Sequence, residues 1–362
     1  MSLVPTVDAI TTSIAAVTEG RVELDGLAVL GERAAIAGLR RNGHRSCGGA
    51  TRLLRSADAW VAVSLPRPED YELLPAWLGT LDVEHSVAAR ESAELVATGA
   101  ELGLAVARLG ERSTSHPAFV VHGTVERLPC GATGSVVVDL SSLWAGPLAA
   151  SILTTAGARV IKVESWGRPD GARFGPERFF DLLHSGQESV AFDFTDRTDL
   201  GTLTRLVRRA DVVIEASRPR ALAQLGIDAL ETVARHATIW LSITGHGRHP
   251  DTAGRAAFGD DAAVAGGLVG GSPEQRWFCA DAVADPLAGL VGAAVVLDRL
   301  ASGRGGLIDV SMAGVAAWCA RGGSTSEPWT GPVAAPSART PTGRSHPLGA
   351  DTTSVVADLV SA

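Results

Sequence analysis

Residues 136–164 constrain the fold most, because they contain the pattern of a strand, a helix and a second strand in close succession. Residues 136–140, VVVDL, form a short β-branched run that is typical of a strand buried on both faces of a sheet. Gly146-Pro147 then indicates a helix start, since a proline near the first helical position loses no hydrogen bond. Gly157 marks the helix end, and residues 159–163 predict the next strand.

A strand, helix and strand in this order predict two parallel strands joined by a right-handed crossover. The helix would begin at the carboxyl end of the first strand, where anions and cofactors commonly bind. Taken alone, the segment favours a plain structural unit over a specific binding site. Strand and helix patterns continue to alternate downstream, so the sequence predicts the α/β class.

Composition limits the binding partners and the cellular location that are expected for the protein. The length of 362 residues predicts two domains. A net charge of −8 without a basic run argues against a nucleic-acid partner. The four scattered cysteines argue against a zinc site or a disulfide framework, and they suit a reducing cytoplasm. We expect no signal peptide, no membrane span and a cytoplasmic location, because no long apolar run is present.

The same segment resembles the start of the family III CoA-transferases, which include formyl-CoA:oxalate and carnitine CoA-transferases and α-methylacyl-CoA racemase. The family pattern DL-x-x-x-x-AGP-x-A is matched by DLSSLWAGPLA at residues 139–149. The following GA-x-VIKVE strand is matched by GARVIKVE at 157–164. The resemblance implies a Rossmann-like large domain with a parallel sheet, plus a smaller α+β domain.

Further family motifs follow in the expected order. They are SVAFDF at 189–194, DVVIE at 211–215, TIWLSITGHG at 238–247, RAAFGDDAAVAGGL at 255–268, ADPLAGLVGAAVVLDRLA at 284–301 and PLGADTTSVVA at 347–357. The resemblance therefore covers residues 134–320 and the end of the chain.

The order of the domains differs from that of the family, in which the small domain follows the helix found here at 311–320. Only a Gly-, Ser-, Thr- and Pro-rich stretch, too polar to bury a core, follows that helix. Residues 47–63 instead resemble the family's glycine loop and small-domain strand. We predict a small domain at 1–112, a linker at 113–133, a large CoA-binding domain at 134–320, a linker at 321–345 and a tail at 346–362 that returns to the large domain.

Asp285 is the candidate catalytic residue, because the family's nucleophilic aspartate begins the helix matched here by ADPLAG at 284–289. A carboxylate near a helix N-terminus is expected to stay ionised. It can attack an acyl-CoA thioester, form a mixed anhydride and then hold CoA as an enzyme thioester. Without the resemblance, the pattern Asp285-Pro286 favours an ordinary helix N-cap.

The implied activity is that of an acyl-CoA:carboxylate CoA-transferase. Its substrates would be acyl-CoA and a small carboxylic acid, with no tightly bound cofactor and no metal. By analogy with the family, we expect a homodimer. The residues predicted to contact CoA are Ser142, Trp144, Ala145, Gly146, Lys162, Arg218, Gly48 and Gly49. Lys162 is the sole lysine of the chain, and its alternative reading is a surface lysine at a strand end.

Several positions depart from the family pattern. Ser142 and Trp144 stand where the oxalate enzymes carry His and Gln, and Ser165 stands where an Arg often contacts CoA. Five arginines could compensate: Arg159, Arg168, Arg173, Arg218 and Arg220. These departures leave open a second possibility, a non-catalytic CoA-transferase-like scaffold or subunit.

The other acidic and histidine candidates are interpreted as structural, and one family motif is missing. Asp260-Asp261 is interpreted as a helix N-terminal cap, although a family aspartate shifted by one residue is the alternative. His246 and His249 are interpreted as structural. A racemase or isomerase is a distant alternative, because no histidine stands at 257–258, where the racemases carry a His-Asp pair.

Overall fold

The computed structural model describes residues 3–112, 117–321 and 334–360. The chain begins with helices α1 (Leu3–Val17) and α2 (Gly26–Ala37). The Asp25 carboxylate caps α2 by accepting hydrogen bonds from the backbone N–H groups of Leu27 and Ala28. Gly38 ends the helix in the left-handed conformation that glycine adopts without steric cost.

A small antiparallel sheet and four short helices follow. They are β1 (Thr51–Arg55), β2 (Trp60–Ser64), α3 (Pro68–Glu72), α4 (Leu74–Leu78), α5 (Val83–Ala88), α6 (Ser92–Glu101) and β3 (Ala105–Arg108). The strand order is β1-β2-β3, with both pairs antiparallel. Val61, Val63 and Val106 of the sheet pack against Trp77 and Leu95 of the helices, which gives this unit its own hydrophobic core.

The remaining elements build a large sheet and its helices. They are β4 (Phe119–Glu126), β5 (Val136–Asp139), α7 (Ala145–Thr155), β6 (Arg159–Ser165), α8 (Glu177–His184), β7 (Glu188–Phe192), α9 (Arg197–Arg209), β8 (Val212–Glu215), α10 (Arg220–Gln224), α11 (Ala229–His236), β9 (Ile239–Thr244), α12 (Gly259–Ala265), β10 (Val269–Gly271), β11 (Arg276–Phe278), α13 (Ala284–Ser302), β12 (Arg304–Ser311), α14 (Met312–Ala320) and α15 (Thr352–Val355). A 3-10 turn lies at Gly171–Phe174 and a π-helical turn at Val356–Val360.

The large sheet has the order β4-β12-β9-β8-β5-β6-β7. Every neighbouring pair from β12 to β7 is parallel, whereas β4 pairs antiparallel with β12 at the edge. The six parallel strands, numbered 1 to 6 in chain order from β5 to β12, lie in the order 3-2-1-4-5-6 when the sheet is read from β7 to β12. This is the strand order of dinucleotide-binding folds. The order reverses between β5 and β8, so a crevice is expected at their carboxyl ends.

Helices cover both faces of the large sheet. Alternate strand residues face opposite layers, because successive side chains of a strand point to opposite sides. Val137 and Val160 pack with helices α1, α7 and α13 on one face. Val138 and Ile161 pack with α9 and α11 on the other. The predicted α/β class, with a Rossmann-like parallel sheet and a smaller α+β unit, is confirmed.

The local predictions for the opening segment are also confirmed. The run 136–140 contains β5, which ends at Asp139, the helix begins at Ala145, and the run 159–163 lies in β6. Strands β5 and β6 are parallel, with Val136 opposite Arg159 and Asp139 opposite Lys162.

The predicted domain boundaries stay a prediction, and three features bear on how the chain is organised. Helices α1 and α2 share the hydrophobic core of the large sheet, although they precede the small one. Strand β4 lies within the predicted linker 113–133. Residues 334–345 lie against α2 and α8 through the Arg339–Glu32 ion pair and a bond from Ser345 to Asp181. Residues 113–116 and 322–333 fall outside the described residues.

Candidate active site

Asp285 is the second residue of α13 and lies where that helix meets the start of α12. The cap position of α13 is Val283, which forms no side-chain capping bond, so the N-cap alternative for Asp285 is wrong. The Asp285 backbone N–H donates to the Ala282 carbonyl at 2.9 Å. The residue as a whole is half-buried, and its carboxyl group lies in a buried environment.

Gly259, the first residue of α12, leaves room for the Asp285 carboxylate because it has no side chain. A Cβ atom at position 259 would lie 2.4 Å from Asp285 Oδ2 and 2.3 Å from the Ala282 carbonyl oxygen. These separations are too short for any side chain. Position 259 therefore requires glycine for steric reasons.

Arg33 of α2 supplies positive charge to the same place. Its guanidinium binds Asp281 through two hydrogen bonds, Nε to Oδ2 at 2.8 Å and Nη2 to Oδ1 at 2.5 Å. Asp281 lies in the loop before α13 and is buried. Two-point binding fixes the guanidinium plane, and so it fixes the cation near Asp285.

The Asp260-Asp261 pair links the small sheet to α12 and to the loop before α13. Asp261 accepts hydrogen bonds from the Phe258 backbone N–H at 2.9 Å and from Ser64 at 2.8 Å. Asp260 accepts from the Ala282 N–H at 2.9 Å and from Thr51 at 3.2 Å. The predicted capping role is confirmed for Asp261. Asp260 instead holds the loop that precedes Asp285.

This concentration of carboxylates changes the acidity of Asp285. Burial raises the pKa of Asp285, Arg33 opposes the increase, and repulsion from Asp260, Asp261 and Asp281 adds to it, giving a pKa of about 7. The expectation that the helix N-terminus keeps this group fully ionised is therefore wrong. Burial and neighbouring negative charge outweigh the helix dipole.

Cys47 stands beside the same cluster but is a poor nucleophile. Burial, with repulsion from Asp281 and Asp260, raises the pKa of the Cys47 thiol to about 11. The thiol is therefore protonated at neutral pH, whereas the thiolate is the reactive form. Asp285 is the better candidate nucleophile of the two.

The glycine loop at Gly48-Gly49 and the Trp144 ring lie beside Arg33, which in turn lies near Asp285. A Cβ atom at Gly48 would lie 3.6 Å from Arg33 Nη2, and Gly49 adopts a left-handed φ of 81°. The Trp144 ring lies 5.6 Å from the Arg33 guanidinium carbon. The structure thus brings three predicted site residues, Gly48, Gly49 and Trp144, to the same region as Asp285.

Ala145 and Gly146 are buried and serve close packing at the start of α7. A Cβ atom at Gly146 would lie 2.1 Å from Ser141 Oγ. The Ala145 carbonyl faces Gly289 of α13, where a Cβ atom would approach it to 2.5 Å. Ser142 is exposed on the loop between β5 and α7. Of these three predicted contact residues, Ser142 alone presents its side chain to solvent.

Lys162 lies inside the protein, so its reading as a surface lysine is wrong. Its side chain is 2% exposed, and Nζ lies 3.1 Å from Asp170 Oδ2 and 3.6 Å from Asp139 Oδ2. The ammonium also donates to the Ser141 carbonyl. Burial lowers the pKa of Lys162, but Asp139, Asp170 and Glu164 outweigh it and hold the pKa above its ordinary value. Lys162 therefore holds the β5–α7 loop in place through its bond to the Ser141 carbonyl.

Arg218 belongs to a second positively charged region between the small sheet and the large one. A Cβ atom at Gly103 would lie 3.7 Å from Arg218 Nη2. Burial and the charges of Arg220, Arg67 and Arg168 lower the pKa of Arg218. Among the described residues, Arg168, Arg218 and Arg220 have no carboxylate partner.

The sequence of the large sheet and its loops identifies the family. The model of CoA-transferase family III matches residues 133–354, which is more than half of the chain. The chain belongs to CoA-transferase family III. The match begins just before β5 and ends within α15.

Curated relatives of this family match over shorter stretches. The acetyl-CoA:oxalate CoA-transferase of Acetobacter aceti is 36% identical over 101 residues, which is 26% of each chain. The succinate–glutarate CoA-transferase of Agrobacterium fabrum is 31% identical over 205 residues, which is 50% of each chain. The chain thus spans about half or less of the length of these relatives.

A solved structure also aligns with part of the chain. A CAIB/BAIF family protein from Brucella suis is 28% identical, with a TM-score of 0.48. The alignment covers 55% of this chain and 60% of that one.

Arg33 is the site residue that sequence reasoning missed. It lies in α2, outside the segments that resemble the family, and it pairs with a residue 248 positions away. The one available signal was the charged pair Glu32-Arg33 within an otherwise apolar helix. Within the three described ranges, no group of three or more His, Cys, Asp and Glu side chains could hold a metal ion. Nor is any described helix both long and apolar enough to cross a membrane.

Proposed function

We propose that the protein is an acyl-CoA:carboxylate CoA-transferase that uses Asp285 as its nucleophile. The carrying observation is the position of the Asp285 carboxylate, against Gly259 and beside the Arg33–Asp281 pair at the first turn of α13. Membership of CoA-transferase family III supports the reaction class. The relatives named above as oxalate and succinate–glutarate CoA-transferases support a small carboxylic acid as acceptor.

The first half-reaction forms a thioester on the enzyme. An Asp285 oxygen attacks the thioester carbonyl of acyl-CoA, the C–S bond breaks, and CoA leaves as a thiolate. The thiolate then attacks the aspartyl carbonyl of the mixed anhydride, which releases the donor acid and leaves CoA on Asp285. Two moderate barriers replace one high barrier.

The second half-reaction reverses these steps with another acid. The acceptor carboxylate attacks the aspartyl-CoA thioester and expels the CoA thiolate, forming a new mixed anhydride. The thiolate attacks the acyl carbonyl of this anhydride, giving the new acyl-CoA and free Asp285. Arg33 favours the ionised aspartate, and the Gly48-Gly49 backbone can approach the intermediates closely because it carries no side chains.

The arginine region around Arg218 fits the phosphates of CoA. Arg168, Arg218 and Arg220 carry positive charge without carboxylate partners among the described residues, and guanidinium groups bind phosphate in a two-point geometry. Arg67 adds charge from the small unit, although it also pairs with Asp70. A homodimer remains part of the proposal, and sedimentation analysis tests it.

Trapping of the enzyme thioester tests the proposed function. The protein is incubated with acetyl-CoA and then hydroxylamine, digested and analysed by mass spectrometry. A hydroxamate on Asp285 supports the proposal. CoA binding without any modification of Asp285 contradicts it and favours the scaffold alternative.

A matched carboxylate controls for non-specific labelling. Asp298 lies in the same helix, about three and a half turns from Asp285. Asp285→Asn is expected to abolish trapping, whereas Asp298→Asn retains it. Equal trapping in both variants would exclude Asp285 as the nucleophile.

A further inference from the structure

The segment 336–345, near the end of the chain, forms a strap that ties helix α2 to helix α8. Pro336 lies against α2, because a Cβ atom at Gly31 would come within 3.1 Å of the proline Cβ. At the other end of the strap, Ser345 donates two hydrogen bonds to the Asp181 carboxylate of α8, from its backbone N–H at 2.8 Å and from its hydroxyl at 2.7 Å. The strap therefore restrains α2, which carries the arginine of the active site.

Arg339, in the middle of the strap, binds the buried carboxylate of Glu32 on α2. Its guanidinium donates from Nε to Oε2 at 2.9 Å and from Nη2 to Oε1 at 3.0 Å. The Glu32 side chain is 0% exposed, so solvent does not stabilise its charge. Burial raises the pKa of Glu32, and Arg339 is the main group that opposes the increase. The charge state of Glu32 therefore depends on the strap.

Trp144 connects this ion pair to the active site. The Trp144 indole lies close enough to Glu32 to lower the pKa of that carboxyl group. The same ring lies 5.6 Å from the Arg33 guanidinium carbon. Glu32 and Arg33 are also consecutive residues of α2, so a movement of the helix displaces both. The contacts thus run from the strap through Glu32 and Trp144 to Arg33.

We propose that Arg339 is a positioning residue of the transferase site, and that it acts by neutralising Glu32. This inference rests on the proposed transferase function, because the effect reaches the nucleophile Asp285 through Arg33. While Glu32 is paired with the strap, Arg33 remains bound to Asp281. Without the strap cation, the buried Glu32 carboxylate is uncompensated, and it attracts Arg33 away from the active site.

The charges around Asp285 determine the direction of the expected effect. Arg33 lowers the pKa of Asp285, whereas Asp260, Asp261 and Asp281 raise it. Displacement of this cation leaves the three carboxylates without its opposition, so the pKa should increase. We expect an increase of about one unit, the lower end of the effect that a neighbouring arginine has on an aspartate.

NMR titration of the Asp285 carboxyl group tests the proposal without any turnover. The protein is produced with isotope-labelled aspartate, and loss of one signal in Asp285→Asn identifies the carboxyl group. We expect Arg339→Gln to raise the pKa of Asp285 by about one unit. The double variant Glu32→Gln/Arg339→Gln removes both charges and should restore the native pKa, which a loss of packing alone would not do.

Arg344→Gln is the matched control, because Arg344 lies in the same strap and pairs with the exposed Glu177 at 2.6 Å. It should leave the pKa of Asp285 unchanged. An unchanged pKa in Arg339→Gln, an equal increase in the control, or no recovery in the double variant would overturn the proposal. Should Arg339→Gln not fold, Arg339→Lys takes its place. A smaller increase is expected there, because lysine lacks the two-point geometry, and no increase would overturn the proposal.

Kinetic measurements separate this inference from the proposed function. In the pH profile of kcat/KM, the midpoint should move upward in Arg339→Gln together with the pKa of Asp285. An NMR shift in a protein that transfers no CoA would refute the proposed function and support the link between the strap and Asp285. Native transfer activity with no shift in Arg339→Gln would overturn the positioning role alone.

Discussion

Gly259 and Asp285 compete for one volume, since a Cβ atom on the glycine would lie 2.4 Å from Asp285 Oδ2. We expect Gly259→Ala to displace the carboxylate and lower kcat/KM about 100-fold, the effect of misplacing a reacting group by about 1 Å. Gly254→Ala is the matched control, because a Cβ atom at Gly254 meets no heavy atom within 4 Å. Steady-state kinetics of both variants check the prediction, and equal activities would contradict it.

The pH dependence of transfer should report the ionisation of Asp285. The nucleophile is the carboxylate form, and burial with neighbouring carboxylates raises the pKa of Asp285 to about 7. Activity should therefore rise about tenfold per unit of pH below that value and level off above it. Measurement of kcat/KM between about pH 5 and pH 8 is decisive, and a flat profile would exclude this ionisation.

The same pKa predicts that Asp285 destabilises the fold at alkaline pH. Its folded pKa of about 7 exceeds the ordinary value of 3.8, so the folded state binds more protons and loses stability as pH rises between these values. Asp285→Asn removes the charge and should raise the free energy of unfolding at pH 8 by a few kcal/mol, at about 1.4 kcal/mol for each unit of pKa. Urea unfolding at pH 8 and at pH 4 tests this, since the gain should shrink at the lower pH.

Arg33 should control the ionisation of Asp285. Its charge lowers the pKa of Asp285, so Arg33→Gln should shift the midpoint of the pH–activity profile upward. The variant also leaves Asp281 buried without its partner, which lowers stability. Arg33→Lys retains the charge and should shift the midpoint less. An unchanged midpoint in the Gln variant would show that Arg33 does not act on Asp285.

Lys162 should be needed for folding. Removal of its ammonium in Lys162→Met leaves the buried carboxylates of Asp139 and Asp170 without their cation, which should cost about 3–5 kcal/mol. The added change Asp170→Asn should recover part of this loss, because it removes one uncompensated charge. Chemical denaturation of the single and double variants measures both effects. A fully stable single variant would contradict the internal role of Lys162.

Local patterns were sufficient to predict the central strands and helices. Strand β5, the helix start at Ala145 and strand β6 follow from residue types that act over a few positions. The order of the parallel strands agrees with the resemblance to the family. These features depend on short-range sequence signals or on a motif order that the family shares.

Long-range contacts explain what the sequence could not predict. Arg33 and Asp281 lie 248 residues apart, so nothing near Arg33 indicates its partner. The sequence offered a surface position at a strand end for Lys162. In the structure, the loop between β5 and α7 and the Asp170 carboxylate enclose its ammonium group. Burial raises the pKa of Asp285, and three carboxylates from two other segments add to the increase, an arrangement that only the folded chain creates.

Neighbouring residues of α2, near the start of the chain, both bind partners far along it, and this sets a time order for completing the site. Arg33 binds Asp281, while the buried Glu32 forms two hydrogen bonds with Arg339. During synthesis, α2 leaves the ribosome about 300 residues before Arg339, at roughly 5–20 residues per second. For that interval Glu32 has no cation at its native position, so its burial is unfavourable. Helix α2 can dock permanently only late in translation, and the Arg33–Asp281 pair must form late with it.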